Sequence, residues 1–150
     1  LRRARNFPAT GETSMRHATA GVVLAGLALA AGAQAQGLNC ADPATQTDMN
    51  LCADQAYRKS DAELNAAYKS LVARLHKDRQ AESRLNTAQR AWLAFRDAEC
   101  AFAAGGVQEG SAYPMAQARC LDRLTRDRTR ALRDYLECGA GDLDCPAPAD

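Results

Sequence analysis

From Thr45 to about Lys77, the residues Met49, Cys52, Ala56, Leu64, Ala67, Tyr68, Leu71 and Leu75 recur mostly at steps of three and four. This is the spacing of one helix face. Thr45 or Thr47 can cap the segment, Asp48 suits its first turn, and neither proline nor glycine interrupts it. A second stripe, Leu85, Ala88, Trp92, Phe95 and Phe102, passes over Glu99 and stops at Gly105-Gly106. A third, Ala118, Leu121, Thr125, Arg128, Leu132 and Tyr135, follows Pro114, a residue suited to a first helical turn, and stops at Gly139. No stretch alternates with period two, so no strands are expected. Three amphipathic helices joined by short links predict an all-α fold, a small antiparallel bundle in which Trp92, Phe95 and Phe102 face the core.

Charge adds one expected feature to this frame. Glu99 and Arg128 lie on the stripes of two neighbouring helices and predict a structural ion pair inside the bundle, a device that fixes register more than it adds stability. Arg96 and Asp97, which follow Phe95, read as rim charges. His76, near the end of the first stripe beside Lys77 and Asp78, reads as a solvated residue favourable at a helix C-terminus.

The N-terminal region has a different character. Met15-Arg16-His17 precedes an apolar run from about Ala20 to Ala33 and then Ala33-Gln34-Ala35, the order of a basic region, an apolar region and a small-x-small cleavage site. A signal peptide is expected at 15–35, with 1–14 a misplaced start, a helical domain at 36–138 and a Gly/Pro/Asp-rich tail at 139–150. The apolar run is shorter than the roughly 20 residues that span a bilayer, so no membrane span is expected. Gly37-Leu38-Asn39-Cys40 has the wrong residues before its cysteine for a lipid anchor. Removing residues 1–35 takes away four arginines and one acid, which turns the formal balance from +1 to about −2. Neither nucleic acid nor an anionic membrane is suggested as partner.

The chain contains six cysteines, Cys40, Cys52, Cys100, Cys120, Cys138 and Cys145, all beyond the expected leader. An even number in an exported chain of this size predicts a disulfide framework and a periplasmic or secreted location. Sequence order suggests 40 with 52, 100 with 120 and 138 with 145, because each pair brackets a break in helical pattern; other pairings remain open. A metal site lacks ligands: there is no Cys-x-x-Cys, and the expected mature chain has one histidine, His76.

Catalytic constellations are missing as well. The serines have no Gly-x-Ser-x-Gly setting, and a single histidine is too little for a triad. No cofactor is expected, since Gly105-Gly106 lies between two helices and reads as a turn. The stretch 103–114 is the remaining candidate. Gly105, Gly106 and Gly110 make it turn-rich, Gln108, Glu109, Ser111 and Tyr113 give it hydrogen-bonding groups, and a 100–120 bridge would tie its ends. A tethered loop loses little entropy on binding. The plainer reading is a connector with Ser111 as a helix cap.

Met49-Asn50-Leu51-Cys52, then Leu64-Asn65 with Tyr68 and Leu71, then the run from Ala88-Gln89-Arg90-Ala91-Trp92 to Phe95-Arg96-Asp97-Ala98-Glu99-Cys100, then Gly110-Ser111, Cys120 and Leu124-Thr125 with Arg128, resemble the LprI-type lysozyme inhibitor family. The resemblance spans about Cys40 to Leu136. It implies an exported, disulfide-bonded helical domain that binds lysozyme and blocks its cleft without catalysis. On that reading Gln108, Ser111 and Tyr113 form the inhibitory loop. The alternative is a non-catalytic envelope or stress-response protein with another partner.

Overall fold

The computed structural model describes residues 37–139 and 141–148, so the expected misplaced start and signal peptide lie outside the described residues. Three helices follow one another: α1 (Gln46–Arg74), α2 (Arg79–Ala104) and α3 (Tyr113–Glu137), with a short 3-10 turn (Gly105–Val107) after α2. There is no strand among the described residues. Consecutive helices run antiparallel, so α1 and α3 run the same way. The ends agree with this: Asn50 in the first turns of α1 bonds Ser111 just before α3, and Arg74 at the end of α1 bonds the Leu136 carbonyl at the end of α3. The fold is the small disulfide-stapled helical bundle that the stripes predict.

Local signals set the boundaries. Thr45 caps α1 in a reciprocal box with Asp48, each side chain accepting from the other's backbone N–H. The Asp78 carboxylate accepts from the N–H groups of Gln80 and Ala81 and starts α2. At α3, Pro114 occupies the first turn, where its missing N–H costs nothing. The residue before this helix is Ala112, which makes no side-chain cap. Ser111 therefore does not cap α3.

The apolar core lies toward the α1–α2 connection. Leu64, Ala67, Leu71, Leu75, Ala81 and Leu132 are buried there, with Tyr68, Leu85, Trp92, Tyr135 and Leu136 packed around them. Each fully buried leucine contributes about 2 kcal/mol by transfer from water. Part of the tail joins this core. Ala147 is 1% exposed within the cluster, and its carbonyl, like that of Leu136, accepts from Arg74. The segment held by the Cys138–Cys145 bridge thus closes one end of the bundle.

The second stripe is turned from its expected orientation. Phe95 is 55% and Phe102 is 83% exposed, whereas Arg96, read from sequence as a rim charge, is buried. The cause is the phase of the helix. Cys100 has to face α3 to reach Cys120, and it is fully buried in doing so. At about 100° per residue, Phe102 then lies about 200° away from Cys100, on the opposite side. Gln89, Arg96, Cys100 and Ala104 take the inward face instead. The three bridges are Cys40–Cys52, Cys100–Cys120 and Cys138–Cys145.

Candidate functional site

Midway along the bundle the interior is polar. Arg96 reaches inward from α2, and its guanidinium lies 5.2 Å from the Trp92 ring centre, four residues back on the same helix, and 5.5 Å from that of Tyr57 on α1. Its Nη1 donates to Thr125 Oγ1 on α3 at 3.4 Å and pairs with Asp61 on α1 at 3.4 Å, while Nε donates to Asp97 at 2.9 Å. One side chain therefore touches all three helices. A guanidinium suits the position because its planar faces stack on rings while its edge donates several hydrogen bonds. Its charge is met by two carboxylates that both keep access to water.

The groups around Arg96 are satisfied in turn. Thr129 Oγ1 donates to the Thr125 carbonyl, and buried Ser60 donates to the Tyr57 carbonyl. Burial pushes the Tyr57 phenol above its ordinary pKa, and the Arg96 charge opposes that rise without cancelling it. No buried side-chain nitrogen or oxygen among the described residues lacks a partner. Arg128 donates to Gln89 Oε1 at 3.1 Å. The expected ion pair between Glu99 and Arg128 does not form. The same phase that turns Phe95 outward brings Gln89, not Glu99, to Arg128, and the buried cation of the interior is Arg96.

Toward the N-termini of α1 and α3, this interior gives way to two bridges and the connection from Gly105 to Ala112. Cys100–Cys120 joins the helices on either side of the connection, and Cys40–Cys52 fastens the segment before α1. Successive turns shape the connection: the N–H of Gln108 donates to the Gly105 carbonyl, that of Gly110 to Val107, and that of Tyr113 to Gly110. Asn50 Nδ2 donates to the Ser111 carbonyl at 3.0 Å and holds the far end against α1. Val107, Gln108, Glu109 and Ser111 are exposed. Tyr113 is not a loop residue; it is the first residue of α3 and is half-buried.

The opposite end carries an apolar cleft lined by Leu71, Leu75, Leu85 and Ala147. The 105–112 connection is exposed except at half-buried Ala112, and its residues border a shallow depression of their own. Among the described residues there is no cluster of three or more metal-ligating side chains, and no helix is long and apolar enough to cross a membrane.

The sequence gives no local signal for the roles of Asn50, Tyr57 and Asp61, and Arg96 reads there as a rim charge. Tyr57 lies off the best apolar stripe because its partner is a cation and not the apolar core. Asn50 and Arg96 stand inside the segments that carry the family resemblance, and the structure explains why those segments go together. The Met49–Cys52 segment meets the Gly110-Ser111 segment through the Asn50 bond. The Gln89–Cys100 segment meets the 120–128 segment through Arg128–Gln89, Arg96–Thr125 and the disulfide.

Comparison with known proteins agrees with this grouping. The family model described as lysozyme inhibitor LprI matches residues 39–132. An uncharacterized protein of Rhizobium meliloti (strain 1021) is 39% identical over 118 residues, covering 71% of this chain and 85% of that protein. No solved structure matches the chain. The family match takes in α1, α2, most of α3 and the bridges Cys40–Cys52 and Cys100–Cys120, and the chain belongs to the LprI lysozyme inhibitor family.

Proposed function

We propose that this protein is exported and inhibits lysozyme by seating the 105–112 connection in the enzyme's cleft. The observation that carries the reading is the double fastening of that connection, by the Cys100–Cys120 bridge between its flanking helices and by the Asn50 bond to the Ser111 carbonyl. A segment already held in its turns gives up little conformational freedom on docking, so more of the contact energy appears as affinity. Three disulfides fit an oxidising compartment outside the cytoplasm, where lysozyme acts.

The chemistry of the cleft favours the same residues. A lysozyme cleft holds two carboxyl groups, one of them protonated, and binds sugar through hydrogen bonds. Gln108 and Ser111 offer uncharged donors that can take the place of sugar hydroxyls, and Tyr113 flanks them from the first turn of α3. Glu109 is the least suited to approach the catalytic acids, and its place is against a basic rim, where it aids encounter.

Exposed Gln108 and Ser111 can be changed without disturbing the interior. A Gln108→Ala, Ser111→Ala variant is expected to inhibit at least about tenfold less well, the loss of one or two hydrogen bonds. Its melting temperature should stay within about 2 °C of the parent's, as befits surface substitutions. Lysis assays with both proteins check this. Equal inhibition by the two would remove the connection from the inhibitory surface.

A further inference from the structure

The outer face of α2 is apolar and has no partner among the described residues. Ala88, Ala91, Phe95, Ala98 and Phe102 are all exposed. They recur at alternating steps of three and four, and Gly105 continues the series, which is the pattern of the a and d positions of a coiled-coil seam. Single exposed apolar residues are ordinary. A continuous stripe along most of a helix marks an interaction surface.

We propose that this face pairs with the same face of a second copy of the chain, the two α2 helices running antiparallel about a two-fold axis. Side-chain size selects this partner. In an antiparallel seam a positions face d positions, which sets Phe95 against the partner's Ala98, Phe102 against the partner's Ala91, and Ala88 against the partner's Gly105. Every large residue meets a small one, and two-fold symmetry repeats each contact. A parallel pairing would set phenylalanine on phenylalanine and alanine on alanine. Gly105 supports the antiparallel register, because a Cβ built there meets nothing within 4 Å inside the chain and the backbone is ordinary right-handed helix at φ −56°. The fold of the single chain does not call for glycine at that position.

The helix dipoles favour the same arrangement, since antiparallel pairing opposes them whereas parallel pairing would align them. This inference stands apart from the inhibitor reading and does not depend on it.

Sedimentation of the purified, oxidised protein at about 50 µM, above the dissociation constant of a modest dimer, tests the proposal. The parent is expected to be dimeric. Phe102→Ala, which removes a large residue, and Ala91→Phe, which blocks the space that receives it, should each weaken association at least about tenfold. Both positions are exposed, so circular dichroism should show the helices unchanged. The double variant Ala91→Phe, Phe102→Ala exchanges the large and small members of one contact and is expected to restore the dimer. A monomeric parent would overturn the proposal, and so would a double variant as monomeric as either single one. A monomeric parent whose Phe102→Ala variant loses inhibition would assign the face to lysozyme instead.

Discussion

A Cys100→Ser, Cys120→Ser variant is expected to melt about 10 °C below the parent and to lose most of its inhibition of lysozyme. The bridge spans a sequence separation of 20 residues. Closing a loop of that length removes about 3 kcal/mol of chain entropy from the unfolded state. The serines add to the cost, since both positions are buried, Cys100 completely, and a buried hydroxyl without a partner is unfavourable. The functional loss has a separate cause: the bridge holds together the two helix ends from which the 105–112 connection springs. A control separates the two effects. Cys138→Ser, Cys145→Ser also destabilises, through a shorter loop and the tail that buries Ala147. That bridge lies at the far end of α3, about 37 Å of helix away from the connection. Inhibition by the folded fraction should survive there. Thermal melts and lysis assays on both variants measure the difference.

The second large effect is expected at Arg96. Arg96→Ala should lower stability by about 3 kcal/mol, the sum of a cavity where the side chain lay and two lost ring contacts. No stranded charge enters that figure, because Asp61 and Asp97 are 37% and 62% exposed as side chains and remain hydrated. Arg96→Met, which restores most of the volume, is expected to recover more than half of the loss. Arg96→Lys should recover less than Met does, since an ammonium neither fills the plane between Tyr57 and Trp92 nor donates at three angles. Denaturant melts of the three variants give the order. A lysine variant as stable as the parent would show that charge alone, without stacking, holds the helices together.

These expectations rest on features that were unequally legible in the sequence. Helix number, approximate limits and the absence of strands follow from apolar spacing, caps and Gly or Pro stops, which are local signals. Neighbouring cysteines around helix breaks gave the three bridges by proximity along the chain. The phase of α2 did not follow from apolar residues, because this helix has two candidate faces. The larger aromatics, Phe95 and Phe102, define one, and Gln89, Arg96, Cys100 and Ala104 define the other. Hydrophobicity favours the first and the Cys100–Cys120 bridge imposes the second. Taking the half-cystine as the marker of the inner face would have turned Arg96 inward and Phe102 outward and replaced Glu99 by Gln89 opposite Arg128. The connection was legible as a turn-rich segment between two cysteines. Its second fastening, Asn50, was not, since Asn50 and Ser111 lie 61 residues apart and nothing local joins them.

The tail illustrates the same limit. Residues 139–150 read as a loop by composition, yet Ala147 is among the least exposed residues of the core and Arg74 binds its carbonyl. A small apolar residue after a proline gives no periodic signal, and its burial depends on the short Cys138–Cys145 ring that folds it back.

Inhibition of lysozyme requires the folded, disulfide-bonded domain on this reading. The most direct measurement is the rate of bacterial cell-wall lysis by a chicken-type lysozyme as the purified, oxidised protein is added at rising concentration. A saturable fall in rate that disappears after the disulfides are reduced is expected. An unchanged rate at large molar excess of correctly folded protein, repeated with goose-type and invertebrate-type lysozymes, would contradict it.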